Sequence, residues 1–284
     1  MSIVHIFLLA VVQGLAELLP VSSSAHVIVA EKLLGLDPSS PEMTFLLVML
    51  HTGTMFAVLV YFWKRWKALV TGPRKTLVQF VKMLALATGV TGVLGFGLKA
   101  VIEKIVFAGT PHSEIEHLFG NLPLIAVALT AVGALILYAG IKCDSARNLK
   151  SPLNARRSFF IGAIQGICLP FRGFSRSGAT ISVAMLQGVS KELAEEFSFA
   201  LAVVLTPPVI VRELSRLLKA AHASGAGLSH ELFLPGMLGM VFSFGAGLLA
   251  LKWVSSWIEG GRWKFFGVYC FLFAGVVLAV HFSG

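Results

Sequence analysis

The sequence predicts an all-α polytopic membrane protein, with six transmembrane helices plus two re-entrant helical hairpins arranged as an inverted-topology repeat. Three observations lead there. First, 56% of the 284 residues are hydrophobic and only 13% are charged, about half the charge of an ordinary soluble domain, and mean hydropathy is +0.84. Second, six apolar segments reach the roughly 20 residues that a helix needs to cross the hydrocarbon core of a bilayer. Third, two further apolar regions carry chain breakers and polar clusters at their centres, which membrane-embedded backbone tolerates only when buried in protein or lining a wet cavity.

The chain begins with the first broken region, residues 2–36. Pro20 ends a helix there, because its ring clashes with the preceding turn and biases Leu19 away from helical geometry. Ser22, Ser23 and Ser24 follow as candidate caps for a second short helix, with His26 in its first turn. The first 19 residues lack a basic stretch and contain Glu17, so they are expected to stay as a membrane element and not to act as a cleaved leader. Spans are predicted next over about 43–63, 81–101 and 122–141. The second broken region, 155–190, is interrupted by Pro170, Gly173 and the run Ser175-Arg176-Ser177. Three more spans are predicted over about 197–217, 232–252 and 264–282.

The order hairpin, three spans, hairpin, three spans reads as one membrane domain, 1–284, built from two repeats, 1–141 and 155–284. Val12-Gln13-Gly14 and Ile164-Gln165-Gly166 open the two hairpins alike, and Ser22-Ser23-Ser24-Ala25 aligns with Ser175-Arg176-Ser177-Gly178. An odd number of spans per repeat turns one repeat over relative to the other. Loop charges supply the orientation. Lys64, Arg65, Lys67, Arg74 and Lys75 mark a cytoplasmic loop, as do Lys142, Arg147, Lys150, Arg156 and Arg157 against Asp144. Glu103, Glu114 and Glu116 against Lys104 mark an external one. The first hairpin then dips in from outside and the second from the cytoplasm, so that their tips meet near the midplane. Arg212, Arg216 and Lys219 run against the charge rule by falling outside. The net charge of +9 sits largely between spans, which points to anionic membrane lipid and not to nucleic acid. Cys143, Cys168 and Cys270 are far apart, with no CxxC pair that would suggest a disulfide or zinc framework. Nothing in the sequence bears on assembly.

The chemistry concentrates at the two tips. Gln13 and Glu17 are four residues apart and share a helix face. Together with Ser22, Ser23, Ser24 and His26 they place an amide, a carboxylate, three hydroxyls and an imidazole in an apolar stretch. The second tip answers with Arg172, Gly173, Ser175, Arg176, Ser177 and Thr180. Two helix N-termini, several hydroxyls and a guanidinium are an inventory for holding phosphate. A carboxylate and an imidazole can move protons, and a serine can attack phosphorus when a base takes its proton; the same groups could instead orient a water. Plainer roles exist for each. Serines near a proline break cap backbone, an intramembrane histidine can pack, a Glu17–Arg176 ion pair could serve structure alone, and Gln13, Gln165 and Gly166 suit helix contacts. Yet a charge near the bilayer centre costs about 2.5–3.5 kcal/mol even on a lenient scale, and an ion pair leaves the hydroxyl clusters unexplained.

At these residues the sequence resembles the undecaprenyl-pyrophosphate phosphatase family, the bacitracin-resistance type of bacterial membrane phosphatase. One family motif, (Glu/Gln)-x-x-x-Glu continuing into Pro-Val-Ser-Ser-x-x-His, stands here as Gln13 to Glu17 and Pro20 to His26. The other, Pro-Gly-x-Ser-Arg-Ser-x-x-Thr, stands as Gly173, Ser175, Arg176, Ser177 and Thr180, with Arg172 in place of the proline; Ala25 replaces a glycine before His26. The resemblance covers the whole chain. It implies hydrolysis of undecaprenyl diphosphate to undecaprenyl phosphate and inorganic phosphate, which recycles the lipid carrier for cell-wall synthesis and confers bacitracin resistance. It also implies the six-span, two-hairpin fold, and an inner-membrane protein working on the external, periplasmic side. Glu17, Ser23, His26 and Arg176 would carry the chemistry, and Gln13, Ser22, Ser175, Ser177, Thr180 and Arg172 would bind the substrate. A divalent cation, Mg²⁺ or Ca²⁺, would be shared between Glu17 and the substrate phosphates, with no organic cofactor. The rival expectation is a transporter that flips a phosphorylated polyprenyl lipid, since inverted repeats with broken helices also build secondary transporters.

Overall fold

The computed structural model describes residues 1–38, 40–106, 119–144, 149–223 and 230–283. Glu114, Glu116 and Arg147, used above to orient the loops, lie outside them. Among the described residues the chain forms ten helices and no strand beyond an isolated bridge between Ser151 and Val189.

The first broken region forms α1 (Ile3–Leu18) and α2 (Ser23–Leu33), which packs back on α1. Ser2 caps α1 by accepting from the His5 amide, and the chain turns extended at Leu19, before Pro20. The second broken region forms α6 (Ala155–Cys168) and α7 (Arg176–Leu186). Asn154 caps α6 and Ser175 caps α7, each through its side chain. At 16, 11, 14 and 11 residues, none of these helices reaches the roughly 30 Å of hydrocarbon at 1.5 Å per residue.

The six predicted spans are all present as long helices: α3 (Pro41–Thr71), α4 (Arg74–Val106), α5 (Leu122–Asp144), α8 (Lys191–Ala223), α9 (His230–Glu259) and α10 (Trp263–Ser283). Each contains an apolar stretch long enough to cross a membrane. Pro41, directly after the cap Ser40, starts α3 where its missing N–H has no helical partner to lose. The protein is therefore a multi-pass, all-helical membrane protein. Its apolar outer face fits that reading: Val93 and Phe96 on α4 and Phe282 on α10 are among the most exposed side chains, and a lipid environment is what such a surface requires.

The helix packing is reciprocal in part, although α3 also packs extensively on α9 while α4 meets α8 only lightly. α1 packs on α9 as α6 packs on α4, while α3 packs on α8 and α5 on α10. Small residues allow the close approaches. A Cβ on Gly14 would sit 2.7 Å from the Ser243 carbonyl of α9, and one on Gly166 would sit 3.1 Å from the Thr91 carbonyl of α4. Gln165 sits beside that second contact and donates to Thr91 Oγ1 at 3.0 Å, fully buried; it is a helix-contact residue, as expected.

One basic residue does more than mark a loop. Arg157 donates from Nε to the Gln187 carbonyl at 3.1 Å and from Nη1 to the Pro152 carbonyl at 2.8 Å. Beside it, the Ser151 amide donates to the Gly188 carbonyl. Together these bonds cinch the open end of the α6–α7 pair.

Candidate active site

The breaks between α1 and α2 and between α6 and α7 touch. The Gly173 amide donates to Ser24 Oγ at 3.4 Å, and Ser177 Oγ donates to the Leu19 carbonyl at 3.4 Å. Gly173 has φ of 97°, a left-handed turn that glycine adopts without penalty. A Cβ there would also lie 2.5 Å from the Ile125 carbonyl, so the second tip depends on glycine for two reasons. Across from it, Ser22 has φ of 70° and is the one described non-glycine residue with positive φ. Such backbone costs of order 1–3 kcal/mol and persists only where its surroundings hold it. Ser22 is thus not the side-chain cap of α2 that its position suggested; its hydroxyl lies 3.2 Å from that of Ser24.

Beyond this strained residue, Ser23 opens α2 and points its hydroxyl at Glu17, to whose Oε2 it donates at 2.6 Å. Gln13 Nε2 donates to the same oxygen at 3.2 Å. Arg176, the first residue of α7, donates from Nη2 to Glu17 Oε1 at 3.0 Å. Glu17 and Arg176 are both largely buried, at 17% and 19% side-chain exposure. Arg176 Nη1 is buried with no hydrogen-bond partner, a donor still open to an anion. Glu17, Ser23, Gln13 and Arg176 are therefore brought together, between the N-termini of α2 and α7. At each of those ends the first backbone amides lack helical acceptors and the helix dipole favours negative charge.

The other expected residues divide. His26 is not hydrogen-bonded to this cluster. Its Nδ1 contacts the Ser22 carbonyl at 2.7 Å and its Nε2 contacts Tyr269 Oη of α10 at 2.7 Å. The ring lies flat on Phe273, with centroids 3.7 Å apart. Ser175 and Ser177 are buried, 3.4 Å apart, and Ser175 caps α7. Thr180 is fully buried, donates to the Arg176 carbonyl and lies 2.6 Å from Ser198 of α8. These hydroxyls hold the second tip in place and do not line an open surface. Arg172 is exposed, with its guanidinium 4.4 Å above the ring of Phe119.

Two residues that the sequence reading passed over stand beside the expected ones. His51 of α3 brings Nε2 to 3.9 Å from Glu17 Oε2, and Tyr269 is the partner of His26. Both lie inside predicted spans, where a lone polar side chain at helical spacing looks like packing. The only signal was polarity within an apolar run. Among the described residues no three metal-ligating side chains gather. The oxygens at hand are Glu17, Ser23 and Gln13, hard donors of the kind that Mg²⁺ and Ca²⁺ take, but too few to enclose either ion without oxygens from a phosphate or water.

The chain was compared with known proteins. It matches the family described as bacitracin resistance protein BacA over residues 6–276. It is 57% identical over 284 residues to undecaprenyl-diphosphatase 2 of Acinetobacter baylyi, covering 99% of this chain and 98% of that protein. It is 34% identical over 282 residues to undecaprenyl-diphosphatase 2 of Burkholderia thailandensis, covering 96% of this chain and 94% of the relative. Undecaprenyl-diphosphatase 1 of Burkholderia pseudomallei is 34% identical over 285 residues, with the same coverage. With two broken-helix tips closing on one carboxylate and a match running nearly end to end, the chain belongs to the BacA bacitracin resistance protein family.

Proposed function

We propose that this protein hydrolyses undecaprenyl diphosphate to undecaprenyl phosphate and inorganic phosphate, recycling the lipid carrier of cell-wall synthesis and so conferring bacitracin resistance. The observation that carries the reading is the Ser23–Glu17–Arg176 constellation: a hydroxyl donating to a carboxylate at 2.6 Å, and a guanidinium holding the carboxylate's other oxygen at 3.0 Å. The names of the relatives supply the substrate class, and the geometry supplies the chemistry.

In the reaction, Arg176 and the amides opening α2 and α7 hold the terminal phosphate and take up the charge that spreads over its oxygens. Ser23 Oγ attacks the terminal phosphorus as its proton passes to Glu17. The bridging P–O bond breaks, and undecaprenyl phosphate leaves with the electron pair. Water then attacks the phosphoserine, giving inorganic phosphate and restoring Ser23. Gln13 fixes the orientation of Glu17. A divalent cation, when bound, would be held by Glu17 and the phosphates and would neutralise part of their charge. The prenyl tail lies against the apolar outer face.

Within this proposal the α1–α2 and α6–α7 pairs are re-entrant hairpins of an inverted repeat in the inner membrane, and the site faces the periplasm. The reciprocal packing of α1 on α9 and α6 on α4 supports the repeat, and loop charge supports the orientation. The same pairing favours a second reading, a carrier that flips the phosphorylated lipid; that reading needs no nucleophile.

Purified protein in detergent, given undecaprenyl diphosphate, is expected to release phosphate. Arg176→Ala and Ser23→Ala should each lower the rate by at least about 100-fold, the loss typical of a missing charge-stabilising group. Near-normal release from both variants overturns the site, and lipid translocation in vesicles without any hydrolysis favours the carrier.

A further inference from the structure

Three of the four short helices pack broadly on a span: α1 on α9, α6 on α4, and α7 on α5 and α8. The fourth, α2, packs on α1 and meets α10 only lightly. What crosses from α2 to α10 is side chains. His26 Nε2 lies 2.7 Å from Tyr269 Oη, and its ring lies face to face with Phe273, 3.7 Å between centroids. The three rings are nearly parallel, at 8°, 2° and 6° to one another. Toward the end of α2, Lys32 Nζ donates to the Val280 carbonyl at 3.3 Å. The ring cluster stands one helical turn from Ser23, because residues three apart on a helix are neighbours. It is also open, with Tyr269 41% exposed. Phe265, Val268 and Leu272 are exposed with it. These four positions recur at the spacing of one helix face, so an apolar strip of α10 runs from the rings into the lipid.

We infer that the prenyl chain leaves the site between α2 and α10, with its first isoprene units against Tyr269, Phe273 and the exposed strip of α10, and that these two rings select a prenyl over a saturated tail. The inference rests on the phosphatase reading above and says where that substrate's tail goes. The occupant follows from covalent continuity. The terminal phosphate is held at Ser23, and the chain begins at the second phosphate, so its first unit lies within a diphosphate's length of the first turn of α2. A chain tethered there leaves by the side that no span packs closely. The strip also runs away from Lys32, the charged end of the gap, as a tail runs away from its headgroup. The chemistry matches as well. Each isoprene unit carries a double bond with a flat π face, which stacks on an aromatic ring or meets its edge. A saturated chain has no such unit. The hydroxyl of Tyr269 is engaged by His26, which leaves its ring as an apolar surface.

The test compares kcat/KM for farnesyl diphosphate with that for dodecyl diphosphate, a saturated chain of the same length, in purified protein. The wild type is expected to prefer the prenyl substrate. Tyr269→Ala and Phe273→Leu should each lower that preference by about 10-fold, the size of one lost aromatic contact. Tyr269→Phe, which keeps the ring, should keep the preference whatever its rate. Phe96→Ala, which removes an exposed ring of α4, should keep it too. A wild type without preference overturns the inference, as does a loss in Phe96→Ala equal to that in Tyr269→Ala. Photolabelling gives a readout that needs no turnover and no variant. Farnesyl diphosphate bearing a diazirine on its first isoprene unit should label α10 near Tyr269, and undecaprenyl diphosphate should block the labelling where phosphatidylglycerol does not. Labelling confined to other helices, or equal blocking by phosphatidylglycerol, overturns the path. A wild type that labels α10 but releases no phosphate overturns the phosphatase reading and leaves the path standing.

Discussion

Glu17 is the residue on which the site converges, with donors from Arg176, Ser23 and Gln13 on its two oxygens. An ion pair this buried is weak evidence of stability, because desolvation of both charges offsets their attraction. Removing one partner is another matter, since it strands the other charge. Arg176→Met is therefore expected to destabilise the protein by about 3–5 kcal/mol, whereas Glu17→Met combined with Arg176→Met should recover most of the loss. Thermal unfolding in detergent measures both, and a double variant less stable than the single one would contradict the argument. Glu17, Ser23 and Arg176 were legible in the sequence because charge and clustered hydroxyls are rare in apolar segments. The facing of each hydroxyl was not. Ser23 and Thr180 are alike in chemistry, yet packing turns one toward Glu17 and buries the other against Ser198. His51 was passed over for a related reason, since only the crossing of α1 and α3 makes it a neighbour of Glu17.

At the scale of the element, the helix breaks were readable and the helix contacts were not. Pro20, Gly173 and the serine runs end helices through local sterics, which a sequence carries in full. The spacing between helices depends on small residues meeting backbone, which a sequence carries only as scattered glycines. Gly53 is the case closest to the site. A Cβ there would lie 2.3 Å from the Met240 carbonyl of α9, a backbone atom that cannot rotate aside. Gly53→Ala should push α3 from α9 at a cost of about 1–3 kcal/mol, the usual range for overpacking. Because His51 stands two residues away on the same helix, the variant should also lose phosphatase activity beyond what its lowered thermal midpoint explains. Wild-type stability with wild-type turnover would show that α3 has more freedom than this packing allows.

For the whole molecule, the six spans followed from hydrophobic length alone, and the charge pattern between them gives an orientation that labelling can check. The three native cysteines are buried, so an introduced thiol reports on itself. In intact cells an impermeant thiol reagent is expected to label Pro38→Cys, before α3, and to reach Lys75→Cys, at the start of α4, only after the membrane is opened; the reverse pattern inverts the protein. The Glu17–Arg176 contact has a bearing at this scale as well. A bilayer offers an anion site an overwhelming excess of wrong guests, since ordinary anionic phospholipids carry a phosphate with a single charge. Glu17 already occupies Arg176 with a single charge of its own, tethered and well aligned. A headgroup bearing one charge gains almost nothing by displacing it, while a diphosphate brings enough additional charge to prevail. Under the proposed function the carboxylate is a resident competitor on Arg176 Nη2, and a diphosphate that also reaches the unpartnered Nη1 would be favoured by charge number over the substrate's commoner relatives.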